Sequence, residues 1–401
     1  MTGVALGEMA LLALAAASIA VASVVRFRSL ITDLRAISMS WIAAGLLLWL
    51  TLAALRGPDF SGSDWWPLLW ASGVVALPLG WWFMRLRTHA TGLFAVLLLS
   101  LIVAWGSSLE WRMLEAGLTR TPDYWGSPRS GWLLLGLVLM PLLAAIALSV
   151  GVVHRRWRAR AALAFGVVLA GLTLLLLVAS QSRVAIGAGA LGLLAMVVGA
   201  TLHRLGTRLW LGFISVSVAA VLMSSVLANT FKPPQVSLNA EYWAPVQSVL
   251  LLLANQPALA QDADPAVASQ VATWQLAWQA IGERPLAGVG HLEAVGPSLG
   301  ELAGERLSLY AIVGLVGGLT ALALFLTLWL MALKALIGVV CARRWPLTQG
   351  FASYGVTAMI MGFLLLSPLV GAALTGLLLN GVLALGVAGA LEARTQYRPP
   401  D

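Results

Sequence analysis

Arg183 closes SQSR (180–183), a four-residue connection between two long apolar runs. A guanidinium at such a boundary is costly unless it is paired or functional. Its planar fork of donors suits a phosphate group; the alternative is a snorkelling arginine that ends a helix. Two further segments concentrate polar groups in apolar surroundings: TWQLAWQAIGERPLAGVG (273–290) and RLSLYAIVGLVGGLTALAL (306–324). Taken alone, the tryptophans read as an interfacial belt and Glu-Arg-Pro as a helix end. No P-loop, no G-x-G-x-x-G after a strand, no H-E-x-x-H and no G-x-S-x-G occurs. GAGALG (187–192) is glycine inside an apolar run and reads as a helix-packing face. The single cysteine, Cys341, excludes a disulfide framework and a thiolate cluster. His89, His154, His203 and His291 are too scattered to show a metal-ligand spacing.

These groups need elements to hold them. Of 401 residues, 60% are hydrophobic and 10% charged, and the mean hydropathy is +0.91. Soluble domains carry about 25% charged residues, so a water-soluble enzyme, a disordered chain and a nucleic-acid reader are excluded. Eleven apolar runs are long enough to cross a bilayer: 3–25, 36–55, 67–84, 90–105, 131–153, 161–179, 184–202, 209–228, 307–333, 347–367 and 370–391. They are too long and unbroken for barrel strands. The expected fold is therefore an all-α polytopic membrane protein with about 11–12 transmembrane helices. The first run lacks a basic leader and is expected to remain as a span.

The connections alternate in charge. Segments 26–35, 85–89, 154–160, 203–208, 334–344 and the tail are basic; the others are neutral or acidic. By the positive-inside rule the basic segments lie on the cytoplasmic side. That side then holds sixteen Lys/Arg against three acids, and the outer side eight against thirteen, which accounts for the net +8. The chain divides into N-terminal spans (1–228), one large outer loop (229–306) and C-terminal spans with a tail (307–401). Within the loop, PVQSVLLLLA (245–254) is too short to span and suits the interface. Pro265 opens a helix behind Asp264 as N-cap. Val267, Val271, Trp274 and Trp278 recur at helical spacing, an amphipathic pattern suited to a membrane surface. Pro285 and the following glycines end it.

The order and spacing of these pieces resemble the superfamily of bacterial O-antigen ligases, O-antigen polymerases and O-oligosaccharyltransferases. That family is similar in having many spans and a short S-R-G type connection. Its large periplasmic loop carries R-x-x-x-W-x-x-A-x-x-x-(I/F)-x-x-x-P-L-x-G-x-G, and a His-Asn element leads into a span opening G-L-(I/V)-G. Here Arg183 stands for the first element. Trp274, Ala277, Ile281, Pro285, Leu286, Gly288 and Gly290 match the second, and Gly314, Leu315, Val316 and Gly317 the third. The resemblance covers about 180–325. It departs at Gln270, where the family places an arginine, and at Ala303 and Gly304, where it places His-Asn.

The resemblance implies a GT-C-like fold in the bacterial inner membrane, with the active site facing the periplasm and neither metal nor other cofactor. The implied reaction moves a glycan from an undecaprenyl diphosphate carrier to an acceptor hydroxyl, with lipid A-core as the favoured acceptor. A growing polysaccharide or a protein is the alternative, and a non-catalytic protein that binds the carrier lipid is a third reading. Membrane lipids are the expected surroundings and nucleic acid is not a partner. The diphosphate falls to Arg183, Arg306, Arg284 and Lys232, four of the eight outer basic residues. The displaced base falls to Glu305 or His291, and Gln270 and Trp274 mark the acceptor side of the loop helix. Transport is disfavoured, because ionisable groups along a midplane pathway are missing from the runs.

Overall fold

The computed structural model describes residues 26–56, 71–85, 256–263, 265–290, 308–342 and 372–395, with isolated positions at 69, at 345, between 191 and 254 and between 353 and 361. Among the described residues the structure is all-helical, with no strand. The helices are α1 (Arg26–Arg35), α2 (Ser38–Ala54), α3 (Ala76–Arg85), α4 (Pro257–Ala263), α5 (Pro265–Glu283), α6 (Leu309–Cys341) and α7 (Ala372–Thr395). Helix α6 is long and apolar enough to cross a membrane, and α1 with α2 passes the same test as a pair bent by 92°. Of the other expected spans, 370–391 is the single helix α7, which is not among the candidate spans, 67–84 is shortened to α3, and the rest fall wholly or largely outside the described residues.

Helices α2, α3, α6 and α7 share one core. Leu46, Leu50, Trp81, Phe325, Leu328 and Trp329 are all buried in it. Each large apolar side chain withdrawn from water contributes about 1.5–3 kcal/mol. Tyr310, Phe325 and Trp329 stack edge to face along α6, at centroid separations of 5.4 and 6.4 Å. Small residues let the backbones close up. A β-carbon added at Gly386 would lie 2.4 Å from the Ala332 β-carbon, and one at Gly80 would lie 2.6 Å from the Ala384 carbonyl oxygen.

The contacts also fix direction. Gly386 meets Ala332 and Gly389 meets Ala335, so α6 and α7 run parallel. Helix α2 runs against α6: Leu50, near its end, meets Gly317, near the start of α6. At the opposite end Arg394 of α7 donates to the Ala36 carbonyl. Asp33 accepts from Trp81 Nε1 at 2.9 Å and lies 3.8 Å from Arg85 Nη2. Trp345 Nε1 donates to Glu392 Oε2 at 2.7 Å. Basic segments expected to share one side thus meet at one end of the bundle.

Outward faces are apolar. Leu319, Leu326, Leu330 and Ile337 form a stripe along α6, and Trp41, Leu48, Leu52 and Leu55 one along α2 and its C-cap. Both follow helical spacing.

Three elements differ from the sequence expectation. Segment 26–35 is helical rather than a loop. The run 67–84 is interrupted: residues 72–75 form a turn with Gly73 at φ 73° before α3 begins. Buried Ser72 holds that turn, donating to the Leu69 carbonyl at 2.8 Å and accepting from Val74 N–H at 3.3 Å. The run 307–333 extends to Cys341 and is broken at Gly318, where φ is 70° and ψ −170°.

Candidate functional site

Helix α5 starts at Pro265, where proline's fixed φ and missing N–H suit a first turn. The apolar stripe read from the sequence divides. Trp274 is half-buried against Ala277, Ala280 and Ile281, which pack on Ala311 and Leu315 of α6. Trp278 turns outward and is 52% exposed. The inward face is therefore set by a small-residue seam, with Gly314 leaving room for the Ile281 side chain 3.1 Å from where a β-carbon would stand.

At Glu283 the helix gives way to a turn. Gly288 N–H bonds to the Arg284 carbonyl at 2.9 Å and Gly288 adopts φ 66°. This turn enters the break in α6. Val289 N–H donates to the Leu315 carbonyl at 2.7 Å, Gly290 N–H to the Val316 carbonyl at 3.1 Å, and Leu319 N–H to the Pro285 carbonyl at 2.7 Å. Trp49 Nε1, arriving from α2, donates to the Gly317 carbonyl at 2.8 Å. A helix interrupted at Gly318 frees the carbonyls of the preceding turn and the N–H groups that follow it. Leu315, Val316 and Gly317 each gain a donor, and Leu319 gains an acceptor. Buried backbone groups demand this completeness, most of all in an apolar setting.

Two glycines make the fit possible. A β-carbon at Gly288 would lie 2.4 Å from the Leu315 oxygen and 2.5 Å from the Gly318 nitrogen. One at Gly318 would lie 2.6 Å from the Pro285 oxygen and 2.7 Å from the Gly288 nitrogen. Both residues also need positive φ, which L side chains rarely adopt.

Ser308 starts α6 as N-cap, its Oγ accepting from Ala311 N–H at 3.4 Å. Val316, to which Gly290 is bonded, lies eight positions after Ser308. At 1.5 Å per residue Ser308 and Val316 stand roughly 12 Å apart along the α6 axis.

Of the sequence-predicted site residues, Arg284 is exposed on the turn, directly before Pro285. Trp274 sits in the seam beneath it. Gln270 lies in α5, with its side chain outside the described residues. Arg183, Lys232, His291, Glu305 and Arg306 lie outside the described residues. In sequence, however, His291 follows Gly290 directly, and Arg306 precedes Ser308 by two positions. Among the described residues no cluster of three metal-ligating side chains occurs.

The structure adds Trp49 and Gly318 to the unit. The adjacent glycines at 317–318 were a signal for the break, since paired glycine interrupts an apolar helix. Trp49 gives no such signal: it is one of 18 tryptophans. No protein-family model matches the chain, and no curated protein matches it.

Proposed function

We propose that the chain is a multi-span membrane glycosyltransferase. It moves a glycan from an undecaprenyl diphosphate carrier to an acceptor hydroxyl at the periplasmic face of a bacterial inner membrane. One observation carries the reading: the loop pattern ending in P-L-x-G-x-G and the G-L-V-G opening of α6 form one backbone-bonded unit. These two pieces carry the family resemblance, and they stand 24 positions apart in sequence, from Gly290 to Gly314. The apolar stripes on α2 and α6 support a lipid setting, because contiguous exposed apolar surface needs a partner.

In this reading the acceptor oxygen attacks the anomeric carbon and the new glycosidic bond forms as the carbon–phosphate-oxygen bond breaks. Glu305 or His291 takes the hydroxyl proton. The bonding pair leaves with the lipid diphosphate, and Arg183, Arg306, Arg284 and Lys232 hold its charge. Ligation to lipid A-core is favoured over polymerisation or transfer to protein, since the chain is compact and a single outer loop, 229–306, dominates its sequence. Arg183→Ala in a glycan-transfer assay is expected to slow turnover about 100-fold or more; unchanged turnover removes the proposal. In a null strain, core-only lipopolysaccharide with long chains left on the carrier marks a ligase, and single attached repeats mark a polymerase.

Gln270, Ala303 and Gly304 favour a second reading, in which the carrier lipid is bound and not turned over. Binding of labelled polyprenyl diphosphate without product would select it.

A further inference from the structure

Helix α1 stands at 92° to α2. With α2 crossing a bilayer, α1 lies flat in the plane of its surface. It carries Arg26, Arg28 and Arg35, all exposed. Arg28 and Arg35 are seven residues apart and share a face. Beside that face Phe27 is 56% exposed, while Leu30 on the far side is 6% exposed and anchors the helix to the core. The one acid of α1, Asp33, is already engaged by Trp81 and Arg85, whose guanidinium also caps the Trp81 ring at 4.1 Å. Among the described residues no carboxylate pairs with Arg26, Arg28 or Arg35.

An in-plane helix with unneutralised arginines and an exposed aromatic wedge has the chemistry of an interfacial anchor. We propose that α1 binds anionic phospholipid head groups through Arg28 and Arg35, with Phe27 seated among the acyl chains. The Asp33–Trp81–Arg85 contact holds the helix at the angle this requires. The inference rests on α2 and α6 as spans, and not on glycan transfer.

The purified full chain, placed in nanodiscs of phosphatidylcholine with a minority of phosphatidylglycerol, tests this by the lipid that co-purifies after exchange. Wild type should retain phosphatidylglycerol in excess. Arg28→Gln with Arg35→Gln should lower that excess roughly tenfold at low salt, with unfolding temperature unchanged because both residues are exposed. Raised salt should erode the wild-type excess. Spin labels at Phe27→Cys and Leu326→Cys, in a Cys341→Ser background, report depth. Lipid contact at both positions supports the proposal. Lipid contact at 326 with water at 27, or equal retention in wild type and variant, overturns it and leaves the spans standing. Water at 326 overturns the spans and the proposal together.

Discussion

The two ends of the bundle are held by different chemistry. At the end where α6 begins, a turn and a broken helix exchange main-chain hydrogen bonds around Gly288 and Gly318. At the other end, side chains do the joining: Asp33 with Trp81 and Arg85, Arg394 with the Ala36 carbonyl, Trp345 with Glu392. Main-chain locking tolerates no added atom but any change of charge. Side-chain locking tolerates added atoms but responds to charge and salt. An end built from main chain suits a place where position must be held closely, and an end built from charged side chains suits a wet, basic rim.

Substitutions can break this contrast. The largest effect is expected from Gly288→Ala or Gly318→Ala, which drives a β-carbon into backbone on both sides. A loss of about 3 kcal/mol or more follows from overpacking and forced positive φ, read as a lowered unfolding temperature in detergent. Gly338→Ala meets nothing within 4 Å, and should be neutral or stabilising by up to about 1 kcal/mol. Next comes Trp49→Phe, which keeps an aromatic ring but leaves the Gly317 carbonyl without its donor. It should cost about 1–3 kcal/mol and raise protease sensitivity near residue 285. Asp33→Ala should cost less, about 1 kcal/mol, from the lost indole bond and a solvent-screened ion pair. Smallest is Asp33→Asn, which keeps an acceptor for Trp81 and loses only the ion pair. Its effect, about 0.2–1 kcal/mol at low salt, should fade at high salt, whereas the glycine effects should not.

Apolar length and helical spacing located α2, α5, α6 and α7 in the sequence, because burying a helix face leaves a periodic trace. Pro265 and the Glu283 terminus were legible from local chemistry. The break at Gly73 was not, since a composition window averages a single glycine into its apolar neighbours, and at 317–318 only the pairing of two glycines signalled a break inside the apolar run. Helix α1 was hidden by its arginines, which read as a loop, although its ten residues form a helix bent by 92° from α2. At the candidate site, the P-L-x-G-x-G and G-L-V-G pieces were legible as patterns. Their union was not: main-chain hydrogen bonds are made by groups every residue carries, so no side chain announces them.

The lock at Gly318 also orders assembly. Val289 and Leu315 are separated by only twenty-six residues, so the ribosome delivers both partners within seconds of each other. The Leu315 and Val316 carbonyls therefore find their donors as soon as both segments are made. Trp49 and Gly317 are 268 residues apart, a closure with a far greater loop-entropy cost. Its partner indole is made early and must be kept until the C-terminal third emerges. The local bonds set the shape of the turn-and-helix unit during synthesis, and the indole bond closes the bundle around it late.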